Sequence, residues 1–591
     1  MPGWSDHVSD KHEEARAAFL EWAARGKPRT GPTHLHMCRT RAAFKYAVRA
    51  CRTAVEQLKA DARAKQLTDR KNTTNFWKGI AQDACKKTTS HVNRVGNAAG
   101  QTDICNMWKD HFSKLYNCVP DGGAKADFYT TADSSSNNYT THVTVRDIIS
   151  AIEQQKKGKS PGPNELAMES FIHGGLKLHV HLSLLVTFFI RHSYVPCAFM
   201  KSVILPHVKN KSGNTTDPDN YRAIAVSNAE TKIVESVLLH KVSSVSECDK
   251  YQFGFKKGHS TAMCTDVLKK TVDYYRSRGS HMFVCFVDFS KAFDRVNYWK
   301  LFKQLLDDGV EVNCVKLLAY WYSNQTVFVS WHNCISTEFY ISNGTRQGGV
   351  LSPYLFTRYV RPLLSTICNS QIGCNIGGLF INILAYADDM ALLAPSWKAM
   401  NELINLLEKC CVELDIVCNT RKTVCMMFKP KCREKIVNCS FPCFTLYGQK
   451  IQYVTQFRYL GHILNVNNTD DDDIQREIRN LFIRTNMLLL RFSKCSPRVK
   501  CVLFRTYCLC FYDLALWKQY SATIFNKFTA CYNKCVKKFF GYRRMDSMTG
   551  ILLDLSLPTV NTILHNSRLL FIEHCTHSNN DLVRFLNSVA L

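Results

Sequence analysis

Residues 383–393, Ile-Leu-Ala-Tyr-Ala-Asp-Asp-Met-Ala-Leu-Leu, constrain this chain more than any other stretch. Two apolar runs with strand propensity flank Asp388 and Asp389, and no neighbouring residue offers either carboxylate a cation. The pattern predicts a β-hairpin with acids at its tip. Burying one such carboxylate is costly and two side by side repel, so a divalent cation would relieve both penalties. Mg²⁺ keeps waters and substrate phosphates among its ligands and takes few carboxylates, so a second acid is expected from elsewhere in the chain.

Phe283-Val-Cys-Phe-Val-Asp-Phe-Ser-Lys-Ala-Phe-Asp294 supplies one. Apolar residues run unbroken over 282–287, as in a strand buried on both faces, and Asp288 stands at its C-terminal end. Taken alone, an Asp after a strand is a cap and an Asp pair is a solvated turn. Those readings give way when both stretches occur with Asn343-Gly-Thr-Arg-Gln-Gly-Gly-Val-Leu-Ser-Pro353 between them.

This ordered set resembles the reverse transcriptase of non-LTR (LINE-type) retrotransposons. The likeness extends upstream through Lys156-Lys-Gly-Lys-Ser-Pro-Gly-Pro-Asn164, Asn220-Tyr-Arg-Ala-Ile-Ala225 and Gln252-Phe-Gly-Phe255, and downstream to Tyr459-Leu-Gly-His462. At the N-terminus, Pro2-Gly-Trp4 and Gly26-Lys-Pro-Arg29 are similar to the connector that follows the endonuclease in such elements.

The chain's bulk properties fit that resemblance. A length of 591 residues, 46% of them hydrophobic, suits several lobes around a sizeable core. The excess of 76 Lys and Arg over 49 Asp and Glu, a net charge of +27, favours a polyanionic partner, nucleic acid above a membrane surface. No apolar stretch approaches membrane-spanning length, and the N-terminus lacks a secretory signal, so an intracellular protein without a membrane partner is expected. The 27 cysteines then read as reduced thiols, and none shows the paired spacing of a closed zinc site.

Residues 25–71 carry thirteen basic and three acidic residues among helix formers, which predicts a helical arm for a phosphate backbone, the alternative being a solvated basic helix. Residues 122–141, rich in Gly, Ser, Asn, Thr and Asp, read as a linker. Lys159 lies in a rigid basic turn suited to template contact. In Gln252-Phe-Gly-Phe-Lys-Lys257 neighbours such as Phe253 and Lys256 suit base stacking and phosphate contact, the alternative being that Phe253 and Phe255 pack inward. Asn297 should cap a helix that Gly309 ends, and Pro362 should bend the helix after Pro353. The acids at 470–473 read as a solvated turn and cap, and the helices that follow carry Arg476, Arg479, Arg484, Lys534, Lys537, Lys538, Arg543 and Arg544.

The resemblance implies an α/β right-hand polymerase: a basic helical N-terminal extension over 1–145, fingers and palm over 146–466, and a helical thumb over 467–591. It implies RNA-directed DNA polymerase activity on an RNA template, a DNA primer and deoxynucleoside triphosphates (dNTPs). Asp288 and Asp388 would hold Mg²⁺ (or Mn²⁺), assisted by Asp389. Arg222, Gln347 and Lys422 would contact the nucleotide, Phe293 would act as steric gate against a 2′-hydroxyl, and Tyr459 and Gly461 would grip the primer. The chain has Ala223 where family members often have Pro. Ser5-Asp6-His7 is similar to the end of the endonuclease found in related elements, yet no such domain stands before it, so no DNA-nicking site is expected. Nuclear residence after a cytoplasmic ribonucleoprotein stage is implied as well. Two alternatives remain at this level: a group II intron or telomerase-like enzyme, and an inactive or domesticated element that binds nucleic acid without synthesis.

Overall fold

The computed structural model describes residues 8–68, 92–134, 142–210, 213–243, 250–431 and 440–589. Ser5-Asp6-His7 and Pro2-Gly-Trp4 lie outside the described residues. Helices and sheets are mixed, and the chain divides into two compact units, residues 1–90 with 470–570 and residues 91–469 with 571–591. Among the described residues no helix is long and apolar enough to cross a membrane.

The larger unit is organised on a five-stranded sheet: β1 (Met282–Val287), β2 (Ile383–Tyr386), β3 (Asp389–Ala394), β4 (Val424–Phe428) and β5 (Gln452–Tyr453), in spatial order β2-β3-β1-β4-β5. β1 runs antiparallel to both neighbours. Its six residues are all buried because both faces are covered, which explains the uninterrupted apolar run. Phe283, Cys285 and Val287 face a core shared with the helices Tyr298–Asp307, Ser352–Tyr359 and Trp397–Glu413. Met282, Val284 and Phe286 face the helix Thr261–Ser277 and Leu582, Val583 and Leu586. A second sheet joins the strands Tyr221–Ser227, Lys201–Val208, Thr326–Trp331 and Cys334–Ile335, covered by Trp108 and its neighbours on the helix Gln101–Leu115.

Local chemistry sets the helix limits. Asn297 Oδ1 accepts from the N–H groups of Trp299 and Lys300 (3.0 and 3.3 Å), capping Tyr298–Asp307. Pro362 begins a new helix, Arg361–Asn369, after the break at Val360, as a residue without an N–H requires. The expected linker over 122–141 is in part a helix, Ala124–Ser134, whose Ala124, Phe128 and Ala132 recur every four residues and are buried.

The smaller unit is helical. Ser9–Ala24 and Pro32–Thr68 belong to it together with Asp471–Phe492 and Ala522–Phe540, the last two packing around Leu481, Trp517, Phe528 and Tyr532. The acids at its start are not a solvated turn. Asp470 and Asp473 are fully buried; Asp470 Oδ2 accepts from the N–H groups of Lys518 and Gln519 (2.8 and 3.0 Å), and Asp473 Oδ2 accepts from Trp517 Nε1 (2.8 Å). Arg476 and Arg484 are turned inward onto Asp473 and Glu477, so these two cations are committed to the unit's own acids.

Candidate active site

Two strand ends bring the acids together. β2 and β3 form a hairpin in which Tyr386 pairs with Asp389, leaving Ala387 and Asp388 as the turn. β3 pairs with β1 so that Met390 lies opposite Val287; one step further in that register stand Asp389 and Asp288. Asp288 is held from the other side: its N–H donates to Thr423 Oγ1 (3.3 Å) and its carbonyl accepts from Asn419 N–H (2.7 Å). The three carboxylates predicted from separate stretches therefore share one end of the sheet.

Their electrostatics show uncompensated charge. Desolvation raises Asp388 above the ordinary carboxylate range and the charge of Asp288 adds to it, while Arg222 acts in the opposite sense. Asp389 is pushed up to about 6 by desolvation and then by Asp388 and Asp288. Lys422 Nζ stands 3.9 Å from Asp288 Oδ2, on a side chain that is 71% exposed and so only loosely engaged. Among the described residues no three His, Cys, Asp or Glu side chains form a ready-made metal cage. Two carboxylates with mutual repulsion and open surroundings nonetheless fit a hard cation that completes its shell with water and phosphate oxygens.

Beside the acids lies a second group. Phe293 is half-buried, stacked on Phe356 (4.1 Å, 21°) and edge-on to Phe255 (6.1 Å, 86°), so one ring face is backed by protein. The Thr345 N–H donates to Phe293 O (2.7 Å), which ties the 343–353 segment to this strand-end loop. Gln347 Nε2 donates to both oxygens of Asp294 (3.1 and 3.3 Å), and Tyr116 Oη donates to Asp294 Oδ1 (3.2 Å). Asp294 is buried and pushed up to about 6 by desolvation, against the pull of these two donors. The preceding Arg346 is buried with Glu235 (2.6 Å), whose other oxygen accepts from the Val350 N–H (2.6 Å); the turn carrying Gln347 is thereby anchored at both ends.

Sequence reasoning missed Asp294, although it closes the motif that holds Asp288, because nothing along the chain announces Tyr116 and Gln347 as its partners. It missed Lys291 and Lys209 as well; Lys291 pairs with Asp219 (3.0 Å), and both cations act electrostatically on Asp294.

The remaining predicted residues divide. Arg222 is exposed on the second sheet, opposite His207. Lys159 lines a cavity of about 590 Å³ with Lys156, Lys232, Gly348 and Gly349, next to Gln347. Phe253 is a correction: it is 0% exposed in the core beneath the sheet and offers no face to a base, whereas Phe255 is exposed. Lys256, just beyond, is half-buried. Tyr459 is likewise buried, its ring 5.2 Å from Phe286 and its hydroxyl 3.3 Å from Cys264 Sγ. It belongs to the base of a hairpin, Gln456–Tyr459 with His462–Asn465, whose tip is Leu460-Gly461 with φ of 47° and 94°. Two positive φ values mark a tight hairpin turn, and glycine suits the second. Gly461 is thus at the tip, and Tyr459 supports it from below.

Residues 208–464 match the reverse transcriptase (RNA-dependent DNA polymerase) family. Among curated proteins, the RNA-directed DNA polymerase from mobile element jockey of Drosophila funebris is 24% identical over 76% of this chain and 49% of its own length. The probable RNA-directed DNA polymerase from transposon BS of Drosophila melanogaster is 22% identical over 72% of this chain and 48% of its own. A putative 115 kDa protein of the type-1 retrotransposable element R1DM, from the same fly, is 26% identical over 48% and 26%. The chain spans about half the length, or less, of these relatives.

Proposed function

We propose, from the premise that this chain belongs with the LINE-type (non-LTR) reverse transcriptases, that it copies RNA into DNA by extending a primer 3′-hydroxyl with dNTPs. The observation that carries the proposal is the β1–β3 register, which continues to Asp288 and Asp389 beside the Asp388 turn. In the larger unit we assign the central sheet to a palm and the second sheet to fingers. The division proposed along the chain is extension over 1–145, fingers and palm over 146–466, and thumb over 467–591, with the helix Gln101–Leu115 and residues 571–591 packing within the larger unit.

In this reading Asp288 and Asp388 would hold Mg²⁺, or Mn²⁺, which when bound would supply a lowered pKa at the primer hydroxyl and charge neutralisation at the pyrophosphate. Asp389 adds negative charge on the primer side. Arg222, exposed and electrostatically coupled to Asp388, pairs its planar guanidinium with triphosphate oxygens. Lys422 exchanges its loose contact with Asp288 for the leaving pyrophosphate. Gln347 has its amide nitrogen committed to Asp294, which fixes the plane of the group presented to the nucleotide. Phe293, backed by Phe356, sets a wall under the sugar that admits hydrogen and excludes hydroxyl at C2′. Lys159 contacts the template, Phe255 with Lys256 and the Gly461 tip contact the nucleic-acid strands, and nuclear residence follows from the substrate.

Primer extension on an RNA template with Mg²⁺, comparing the parent with Asp388→Ala, tests this. Extension by the parent and none by the variant is expected. Equal extension by both refutes the site, and none by either favours a nucleic-acid-binding remnant.

A further inference from the structure

The hairpin turn that carries Asp388 is held by a residue to which no role has been given. Ala387 opens that turn with φ of 59°, in the left-handed region that glycine occupies without penalty and alanine does not. Such a conformation persists only where its surroundings over-determine it. Gln252, 1% exposed, does so. Its Oε1 accepts from the N–H of Ala387 (2.8 Å) and from that of Gly254 (2.8 Å), while its Nε2 donates to the Ala387 carbonyl (3.3 Å). One side-chain amide thus satisfies both backbone groups of the strained residue.

The backbone around Gln252 reinforces the hold. Phe253 N–H donates to Ala385 O (2.8 Å) and Ala385 N–H donates to Tyr251 O (2.9 Å), so residues 251–253 run beside β2 like an added parallel strand. Gly254 completes the bracket: a Cβ there would stand 2.4 Å from the Ala387 nitrogen. The burial of Phe253 now has a purpose, since it seats the segment that grips the turn.

We propose that Gln252 is a positioning residue: it fixes Ala387 and so the site of the Asp388 carboxylate, without touching substrate or reacting atoms. The inference rests on the proposed polymerase reading, because positioning matters only if Asp388 works. A displacement on the order of 1 Å at a catalytic group costs roughly 10²-fold in rate. Gln252→Met preserves length and removes all three bonds; Gly254→Ala pushes on the same nitrogen sterically. For folded Gln252→Met, judged by a parent-like circular dichroism spectrum and a single cooperative melting transition, we expect single-turnover extension slowed about 10- to 100-fold. Apparent dNTP affinity should stay within about threefold, because the groups contacting the triphosphate are untouched. Mn²⁺, titrated by electron paramagnetic resonance into a complex with RNA template and chain-terminated primer, should bind more weakly than in the parent. Extension at the parent rate, or parent-like Mn²⁺ binding, in the folded variant overturns the proposal. Should both variants fail to fold, amide exchange in the unaltered protein decides: the Ala387 N–H is expected to be strongly protected, and exchange at the rate of an open loop overturns it. If the parent itself extends no primer, the polymerase reading fails, while Mn²⁺ binding and amide exchange still report on Gln252.

Discussion

Two acidic clusters, one in each unit, look alike along the chain and differ in what neutralises them. At the end of the central sheet Asp288, Asp388 and Asp389 meet with one loosely held lysine, and Asp388 and Asp389 are raised above the ordinary carboxylate range. In the helical unit Asp470, Asp473 and Glu477 are more deeply buried but fully provided for, by backbone N–H groups, Trp517, Arg476 and Arg484. Burial alone therefore does not mark a functional acid. What marks it is charge the protein leaves uncompensated where a ligand can enter.

The difference predicts opposite responses to mutation. Asp388→Ala should reduce primer extension by about 10³-fold or more, since several kcal/mol of transition-state charge stabilisation go with the cation. Its melting temperature should hold or rise, because a repelling carboxylate has been removed. Glu477→Gln should do the reverse, destabilising the protein by about 3 kcal/mol in urea unfolding, as Arg476 and Arg484 lose a buried partner. A catalytic collapse in folded Glu477→Gln, or a large stability loss in Asp388→Ala, would erase the distinction.

A smaller effect sharpens it within the larger unit. Asp294 is buried like Asp473 yet holds Gln347, the side chain proposed to contact the nucleotide, so Asp294→Asn should lower kcat/KM for dNTP roughly tenfold through one misplaced hydrogen bond. Smaller still is the response to the cation. Asp389 has a folded pKa of about 6, above the ordinary carboxylate value of 3.8. The folded state therefore binds the proton more tightly than the unfolded chain, and its stability falls as pH rises through that interval. Above it the ionised cluster is what a cation relieves. Added Mg²⁺ should raise the melting temperature by roughly a few degrees at pH 7.5, and the gain should fade as pH drops below about 6. The helical unit's acids should contribute nothing to that gain.

Much of the candidate site was legible because its signals are local. The apolar run at 282–287 is β1 residue for residue, and the hairpin appeared where strand formers flank two acids. Asn297 and Pro362 acted as their chemistry requires. What escaped depends on partners far along the chain. The acids at 470–473 looked solvated because the N–H groups of Lys518 and Gln519 that bury Asp470 lie dozens of residues away. Phe253 resembled a stacking residue and Tyr459 a primer grip, yet both are buried in the core, and the chain turns directly after each, through positive φ at Phe255 and at Leu460-Gly461, which no local composition announces. In the 124–134 helix a Phe-centred stripe was present but outweighed by the polar composition around it.

The most direct test of convergence is a Mn²⁺ titration, followed by electron paramagnetic resonance, of the parent, Asp288→Asn and Asp388→Asn, each with RNA template, chain-terminated DNA primer and dNTP. Either substitution alone should abolish the tight Mn²⁺ site of the parent, because the proposed site draws both carboxylates to the same cation. Tight binding that survives in both variants would contradict a shared metal centre built from these two strand ends.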